Sequence, residues 1–334
     1  MKLRYSKKII SVSRRTDIPA FYGNWFLNRL KEGFVGYINP YGGQKYAVSL
    51  KPEDDICFAF WSKNYEPFIE KLKIIDDMGY KFYFNYTITG LPTIFECNVV
   101  NKERAIDTLK VLSSRYSPKH INWRYDPIII SDYTDYDFHI KIFENIASKL
   151  EGYVERCYFS YAIQYGKVKR NFDKFQKEND IKIMDPDTDF KIKLANELAD
   201  IANRYRIKMF SCCGNYLIGP KIGKAHCISG EIVEELFYKN GFEHREKATR
   251  KECGCTCSTD IGTYDTCPNG CIYCYANVDK IKAYKRFEKH DKNASFLGYS
   301  KAESDKWIEV MKSRGNKRGG IQKHRIDKFQ SKLF

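Results

Sequence analysis

The chain has 334 residues, 43% hydrophobic and 15% aromatic, with 57 Lys+Arg against 42 Asp+Glu and a formal charge of +15. That length buries one large core or two medium ones, and no apolar run approaches the length of a membrane span. The N-terminus, Met1-Lys-Leu-Arg-Tyr-Ser-Lys-Lys-Ile, lacks an apolar signal core and a small-residue cleavage site, so the expectation is a soluble cytoplasmic protein with no membrane partner.

In chain order, Ile9–Ser13 reads as a short buried strand, followed by the polar Arg14-Arg15-Thr16-Asp17 and an amphipathic stretch over Phe21–Lys31. Phe34–Asn39 and Lys45–Leu50 flank Pro40-Tyr-Gly-Gly43, a hairpin signal. Ile56–Trp61 is a continuous apolar run, as in a strand covered on both faces, and leads through Ser62-Lys63-Asn64 to a helix over Pro67–Met78. The alternation continues: strand Lys81–Thr87, helix Lys102–Ser114, strand Ile121–Tyr125, helix Tyr136–Leu150, strand Val154–Ala162. Asp187 caps a helix to Tyr205, and the strand Ile207–Phe210 runs into Cys212-Cys213. Beyond it the pattern breaks down, with a loop-rich stretch to Gly230, a short helix over Glu231–Tyr238 and a charged linker over Arg245–Lys251.

Six strand–helix units in series predict an α/β fold with a parallel sheet, either a (β/α) TIM-type barrel or a doubly wound sheet. The polar residues favour the barrel. They follow directly after the buried strands, as Arg14/Arg15/Asp17, Trp61/Lys63/Asn64, Thr87/Thr89, Arg124/Asp126, Gln164 and Cys212/Cys213, and barrels collect their chemistry at that rim. No G-x-G-x-x-G or Walker sequence supports a nucleotide-binding sheet. The boundaries read as residues 1–211 for the barrel, 212–278 for a cysteine-rich segment folding over its rim, and 279–334 for a basic extension.

Nine of the twelve cysteines fall between Cys212 and Cys274; Cys57, Cys97 and Cys157 are scattered and read as core residues or free thiols. Crowded cysteines without an export signal point to metal rather than disulfides. Cys267-Pro-Asn-Gly-Cys271-Ile-Tyr-Cys274 places three thiols at C-x3-C-x2-C spacing. Three thiolates on a four-iron cube leave one iron open to a small molecule. Zinc is the competing reading, although it usually takes four protein ligands, often from C-x2-C pairs.

This loop resembles that of the radical S-adenosylmethionine (SAM) enzymes, in which C-x3-C-x-aromatic-C holds a [4Fe–4S] cluster whose open iron binds SAM. The resemblance implies ligation by Cys267, Cys271 and Cys274, with Tyr273 as the aromatic beside the cofactor. It also implies a low-potential electron donor such as flavodoxin or ferredoxin. In that superfamily the loop follows the first barrel strand, whereas here it lies in the last fifth of the chain. The stretch from Ser13-Arg-Arg-Thr-Asp-Ile-Pro19 to this loop resembles an uncharacterised bacterial family, domain of unknown function 1848, known for such a C-terminal cluster. That resemblance implies a second [4Fe–4S] site from Cys212, Cys227, Cys253 and Cys255, with Cys213 and Cys257 spare. A structural zinc site is the alternative there, and His226 can replace a thiolate in either.

On the rim, Arg14, Arg15 and Lys63 suit the carboxylate of SAM or an acidic substrate, Asp17 and Asp126 suit ribose hydroxyls or the SAM amine, and Asn64, Thr87 and Thr89 suit adenosine. Arg124 with Asp126, or Arg14 with Asp17, can instead form plain ion pairs. Residues 279–334 carry 16 Lys+Arg against 7 Asp+Glu, a balance that attracts phosphate backbones. The expected function is a radical SAM-type oxidoreductase or lyase acting on an unidentified substrate, with nucleic acid as a candidate. The alternative is a zinc-stabilised nucleic-acid-binding protein without catalysis.

Overall fold

A computed structural model describes residues 8–54, 56–238, 241–242, 245–247 and 250–316. The expected basic tail beyond 316 lies outside the described residues, as does part of the charged linker. No helix among the described residues is long and apolar enough to cross a membrane.

The first unit is β1 (Lys8–Val12), the short α1 (Ile18–Phe21) and α2 (Gly23–Glu32). Asp17 caps α1, accepting from the Ala20 amide at 3.1 Å. The expected hairpin is β2 (Phe34–Ile38) with β3 (Lys45–Ser49), paired antiparallel with Tyr37 opposite Tyr46. Then come β4 (Ile56–Ser62), α3 (Ile69–Asp77), β5 (Lys81–Thr87), α4 (Lys102–Arg115) and β6 (Ile121–Ile128). A two-residue β7 (Ile130–Ser131) precedes α5 (Tyr136–Leu150) and β8 (Arg156–Tyr161). Next is α6 (Gly166–Asn179), which the strand–helix reading did not include, and β9 (Ile183–Met184), which pairs with β7. The chain continues through α7 (Thr188–Arg204), β10 (Lys208–Ser211), β11 (Ile222–Lys224), α8 (Gly230–Phe237), β12 (Thr259–Asp260), α9 (Lys280–Glu288) and α10 (Lys301–Asn316).

Eight strands form one parallel sheet in the order β11-β10-β8-β6-β5-β4-β1-β12. The six inner strands are those the sequence pattern predicts; β11 and β12 are added at the two edges. No ladder joins those edges among the described residues. The period-two alternation of side chains divides the sheet. Phe58, Phe60, Phe82, Phe84 and Trp123 pack with the helices in the main core, edge-to-face in several pairs. Cys57, Ala59, Tyr83 and Tyr158 face the other way and pack against Ala225, Cys227, Ile228, Val233, Phe242 and Cys255. The cysteine-rich segment therefore lies across the second face of the sheet and shares a core with it.

The segment from α9 to α10 returns to the N-terminal unit. Trp25 Nε1 donates to the Ala294 carbonyl at 2.8 Å, and Phe287 packs edge-on against Phe21 and Tyr22. Gly36 pairs with this segment as well. Its amide donates to the Ser295 carbonyl at 2.8 Å, and a Cβ there would lie 2.5 Å from the Phe296 ring.

β12 is only two residues long, and a single buried carboxylate fixes it. Asp260 accepts from Ser11 Oγ at 2.9 Å, Ser13 Oγ at 2.7 Å, the Arg14 amide at 2.9 Å and the Gly262 amide at 3.0 Å. Burial opposes its charge, but Arg15, Arg14 and Ser13 outweigh that and hold its pKa at about 2. The folded carboxyl is the stronger acid, so its contribution is full above the ordinary carboxylate range and is lost as pH falls towards about 2. Asp260→Asn is expected to cost about 2 kcal/mol at neutral pH and progressively less below about pH 4. Urea unfolding of both proteins across that range checks it; a pH-independent difference would rule out the electrostatic account.

Candidate functional site

The C-terminal ends of the strands open into a cleft of about 2340 Å³. Seven cysteines line it: Cys212, Cys227, Cys253, Cys255, Cys267, Cys271 and Cys274. Both expected thiol sets thus face one cavity.

The loop carrying Cys267, Cys271 and Cys274 follows β12 and is held from three sides. Tyr22 Oη donates to the Thr266 carbonyl at 2.5 Å, Asn98 Nδ2 to the Pro268 carbonyl at 2.8 Å, and the Ile272 amide to the Phe95 carbonyl at 3.0 Å. Asn277 Nδ2 closes the loop by donating to the Cys267 carbonyl at 2.7 Å. Gly270 has φ +69°, and a Cβ there would lie 2.4 Å from Cys97 Sγ, so the turn needs glycine. Cys97 touches the loop through the Gly270 carbonyl but does not line the cleft. Burial, then Asp17 and Cys274, push the Cys267 thiol up to about 12; burial raises Cys271 and Cys274 as well, with Lys63 acting against it at Cys271.

The second set comes from three separate loops. Cys227 Sγ lies 3.7 Å from Cys212 Sγ. Thiol contacts run from Cys212 to Cys213, from Cys213 to Cys253, from Cys253 to Cys255, and from Cys255 back to Cys227. The four cysteines singled out from the sequence are in this ring, and Cys213 is a fifth member. Cys257 is exposed and does not line the cleft. Two guanidiniums address the ring. Arg124 Nη1 donates to Cys227 Sγ at 2.8 Å, and Arg250 donates to Cys213 at 2.8 Å and to Cys212 at 3.3 Å. Burial works against the charge on Arg124, but Cys227, Asp126 and Cys212 hold its pKa well above the ordinary value. Arg124 also lies over the Trp61 ring, 4.7 Å from its centroid, and pairs with Asp126.

The remaining rim residues divide into occupied and available groups. Asp17 accepts from Ser62 Oγ at 2.6 Å, the Lys63 amide at 2.8 Å and Asn269 Nδ2 at 3.0 Å, besides capping α1. It ties the ends of β1 and β4 to the cluster loop, and burial raises its pKa against those donors. Arg14 pairs with Asp260, 3.4 Å away, where Asp17 was the partner weighed from sequence. Lys63 Nζ donates to Glu96 Oε1 at 2.8 Å; Thr89 Oγ1 donates to the same oxygen at 2.9 Å, and Tyr273 Oη does so too. Burial works against the charge on Lys63, but Glu96 and Cys271 outweigh it and raise its pKa. Asn64 accepts from the Glu66 amide and, like Thr89, does not line the cleft. Arg14, Arg15, Lys63, Thr87, Arg124, Asp126 and Tyr273 do line it. The buried Trp61 Nε1 has no hydrogen-bond partner among the described residues.

Sequence reasoning missed Asp260, Glu96, Asn269 and Arg250. Each lies in a loop or a two-residue strand, where no periodicity marks a buried polar side chain.

Three cleft-facing thiols stand together on one tight loop, and four more line the cleft from the ring. Among the described residues, no group of three His, Cys, Asp or Glu side chains is placed so as to hold a metal ion.

Fold and site together define a parallel α/β protein with two thiol clusters across a single cleft. The chain belongs to the domain of unknown function 1848 family, whose sequence model matches residues 9–276. The match covers the sheet from Ile9 onward and both thiol sets, and ends two residues after Cys274. No curated protein matches the chain.

Anaerobic reconstitution with iron and sulfide should separate ring members from bystanders. Cys255→Ala is expected to lose about four irons per chain, one cube's worth, and Cys257→Ala none. Equal loss in both variants would remove the assignment.

Proposed function

We propose that the protein is a radical SAM-type iron–sulfur enzyme, with Cys267, Cys271 and Cys274 holding the SAM-binding [4Fe–4S] cluster. Cys212, Cys227, Cys253 and Cys255 hold a second one. The observation that carries this is the position of the C-x3-C-x2-C loop: it follows a parallel strand, β12, and opens into the cleft shared by the other rim residues. In this reading the eight strands act as an incomplete (β/α) barrel. β12 stands beside β1 in space, so the loop occupies the end of an edge strand although it comes late in the chain. A cluster held by Cys267, Cys271 and Cys274 would supply the one-electron reductive cleavage of SAM that generates a hydrogen-abstracting radical.

The chain's own residues would orient and seal. Glu96 fixes the Tyr273 hydroxyl, and with it the aromatic ring beside Cys274. Lys63 and Arg15 place positive charge near the loop, suited to the SAM carboxylate. Thr87 and Asp126, which also line the cleft, would offer acceptors for ribose or amine protons. Arg124 and Arg250 place two donors on the second thiol set, which favours the more reduced, more negative state of a centre held there. The electron would come from a low-potential donor such as flavodoxin or ferredoxin.

A second reading, a zinc-stabilised nucleic-acid-binding protein without catalysis, draws on the all-thiol ring and the basic cleft. Metal content and SAM cleavage distinguish the two. Seven to eight irons per chain, at roughly four per cube, with 5′-deoxyadenosine formed on reduction and abolished in Cys271→Ala, supports the radical reading. Zinc without iron, and no cleavage of SAM, selects the binding module.

The two arginines give a separate readout. In a redox titration followed by electron paramagnetic resonance, Arg250→Met is expected to move the second centre to a more negative midpoint potential, with Arg250→Lys between it and the wild type. An unchanged midpoint would mean that Arg250 only packs there.

A further inference from the structure

The walls of the cleft carry eleven lysines and arginines against three aspartates and no glutamate. All three carboxylates are already engaged. Asp17 is held by amide and hydroxyl donors, Asp126 by Arg124 and Ser160, and Asp260 by Ser11, Ser13 and Arg14. The inner cations are spoken for as well, on Glu96, on aspartate or on thiols. The outer ones differ. Among the described residues, Lys45, Lys167, Arg170, Lys251 and Lys306 make no ion pair with a carboxylate. Lys45 lies over the Trp307 ring at 4.5 Å and Lys167 over the Tyr264 ring at 5.2 Å. They sit on β3, α6, the segment before Cys253, and α10, so surplus charge surrounds the mouth on several sides.

Aromatic rings stand between these cations. Ten tyrosines and tryptophans line the cleft. Tyr41, at the hairpin tip, is 67% exposed and Tyr165, just before α6, 43% exposed, so both rings present area to a ligand in the cleft. Surplus cations attract any polyanion. Exposed rings among them select one that has flat faces of its own, since base–aromatic stacking contributes about 1–3 kcal/mol per base. A base stacks on a side chain only when unpaired, which excludes an intact duplex from that wall. An acidic peptide satisfies the charges and leaves the rings unused.

We infer that the outer cleft binds single-stranded nucleic acid, with its backbone along Lys167, Arg170 and Lys251 and its bases against Tyr41 and Tyr165. As the substrate class of the proposed enzyme, this rests on the radical SAM reading. As a binding site it stands without it, so the test omits SAM and reductant.

The full-length protein is titrated into fluorescein-labelled dT12 and into a labelled oligoglutamate of equal charge, with fluorescence anisotropy as the readout. The expected result is binding of dT12 that weakens steeply with salt, at least about tenfold tighter than oligoglutamate. Lys167→Glu/Arg170→Glu, both on α6 and lining the cleft, should weaken dT12 binding about tenfold or more and flatten the salt slope. Tyr41→Ala should weaken it several-fold at a salt concentration where the slope is unchanged. Circular dichroism confirms that the variants fold. Equal affinity for oligoglutamate would reassign the cleft to acidic peptides. Absence of dT12 binding at low salt, or binding indifferent to all three substitutions, would overturn the inference. In neither case would the outcome of the SAM-cleavage assay change.

Discussion

The position of the cluster loop depends on one buried carboxylate. Asp260 lies between the end of β1 and the start of the loop and collects two hydroxyls, two amides and the flanking arginines. A two-residue strand contributes almost nothing by its own ladder, so side-chain bonds must set its register. Burying a charge is tolerable only when it is nearly surrounded by donors, and Asp260 meets that condition. Asp17 repeats the arrangement one strand further on, where it joins β4 to the cluster loop through Asn269. Asp17, which reads as a substrate ligand in the rim motif, and Asp260, which nothing in the sequence marks, thus hold the rim together. The other rim groups that line the cleft are the arginines, Lys63, Thr87, Asp126 and the thiols.

The strand–helix order was legible because fully covered parallel strands read as unbroken apolar runs, as Ile56–Trp61 does, and because helices such as α5 and α7 carry both a cap and a clear apolar stripe. α6 was harder. Its buried residues are only Val168, Phe172 and Phe175 within a very polar stretch, a stripe narrow enough to pass for loop. β11 and β12, three and two residues long, are below the length at which alternation carries information. Both edges of the sheet were therefore unreadable, and with them the answer to whether the strands close on themselves.

At the site, cysteine spacing marked the cleft thiols because a metal loop is local in sequence. The polar network around them is not local. Glu96, which gathers Lys63, Thr89 and Tyr273, sits between Phe95 and Cys97 in a stretch with no period. Arg250 follows a charged linker, where one arginine among several gives no sign that it will reach two thiols. Such residues are identified by what lies opposite them, and only the fold supplies that.

The strand order also explains why both thiol sets share one cleft. β11 and β12 stand at opposite edges of the sheet, so the chain must cross its full width to pass from one to the other. It crosses on the face formed by Cys57, Ala59, Tyr83 and Tyr158, where Tyr83 Oη and Asn85 Nδ2 both donate to the Cys227 carbonyl at 3.1 Å. The crossing segment carries Cys227 and Cys255 beneath the strand ends, and only then does β12 deliver Cys267, Cys271 and Cys274 from the far side. A loop leaving β12 could not reach its place beside β1 without first laying the other thiols across the sheet. Proximity of the two sets is thus a consequence of connectivity: a late cysteine loop placed beside the first strand needs a long crossover, and that crossover is a ready position for further ligands in the same cavity.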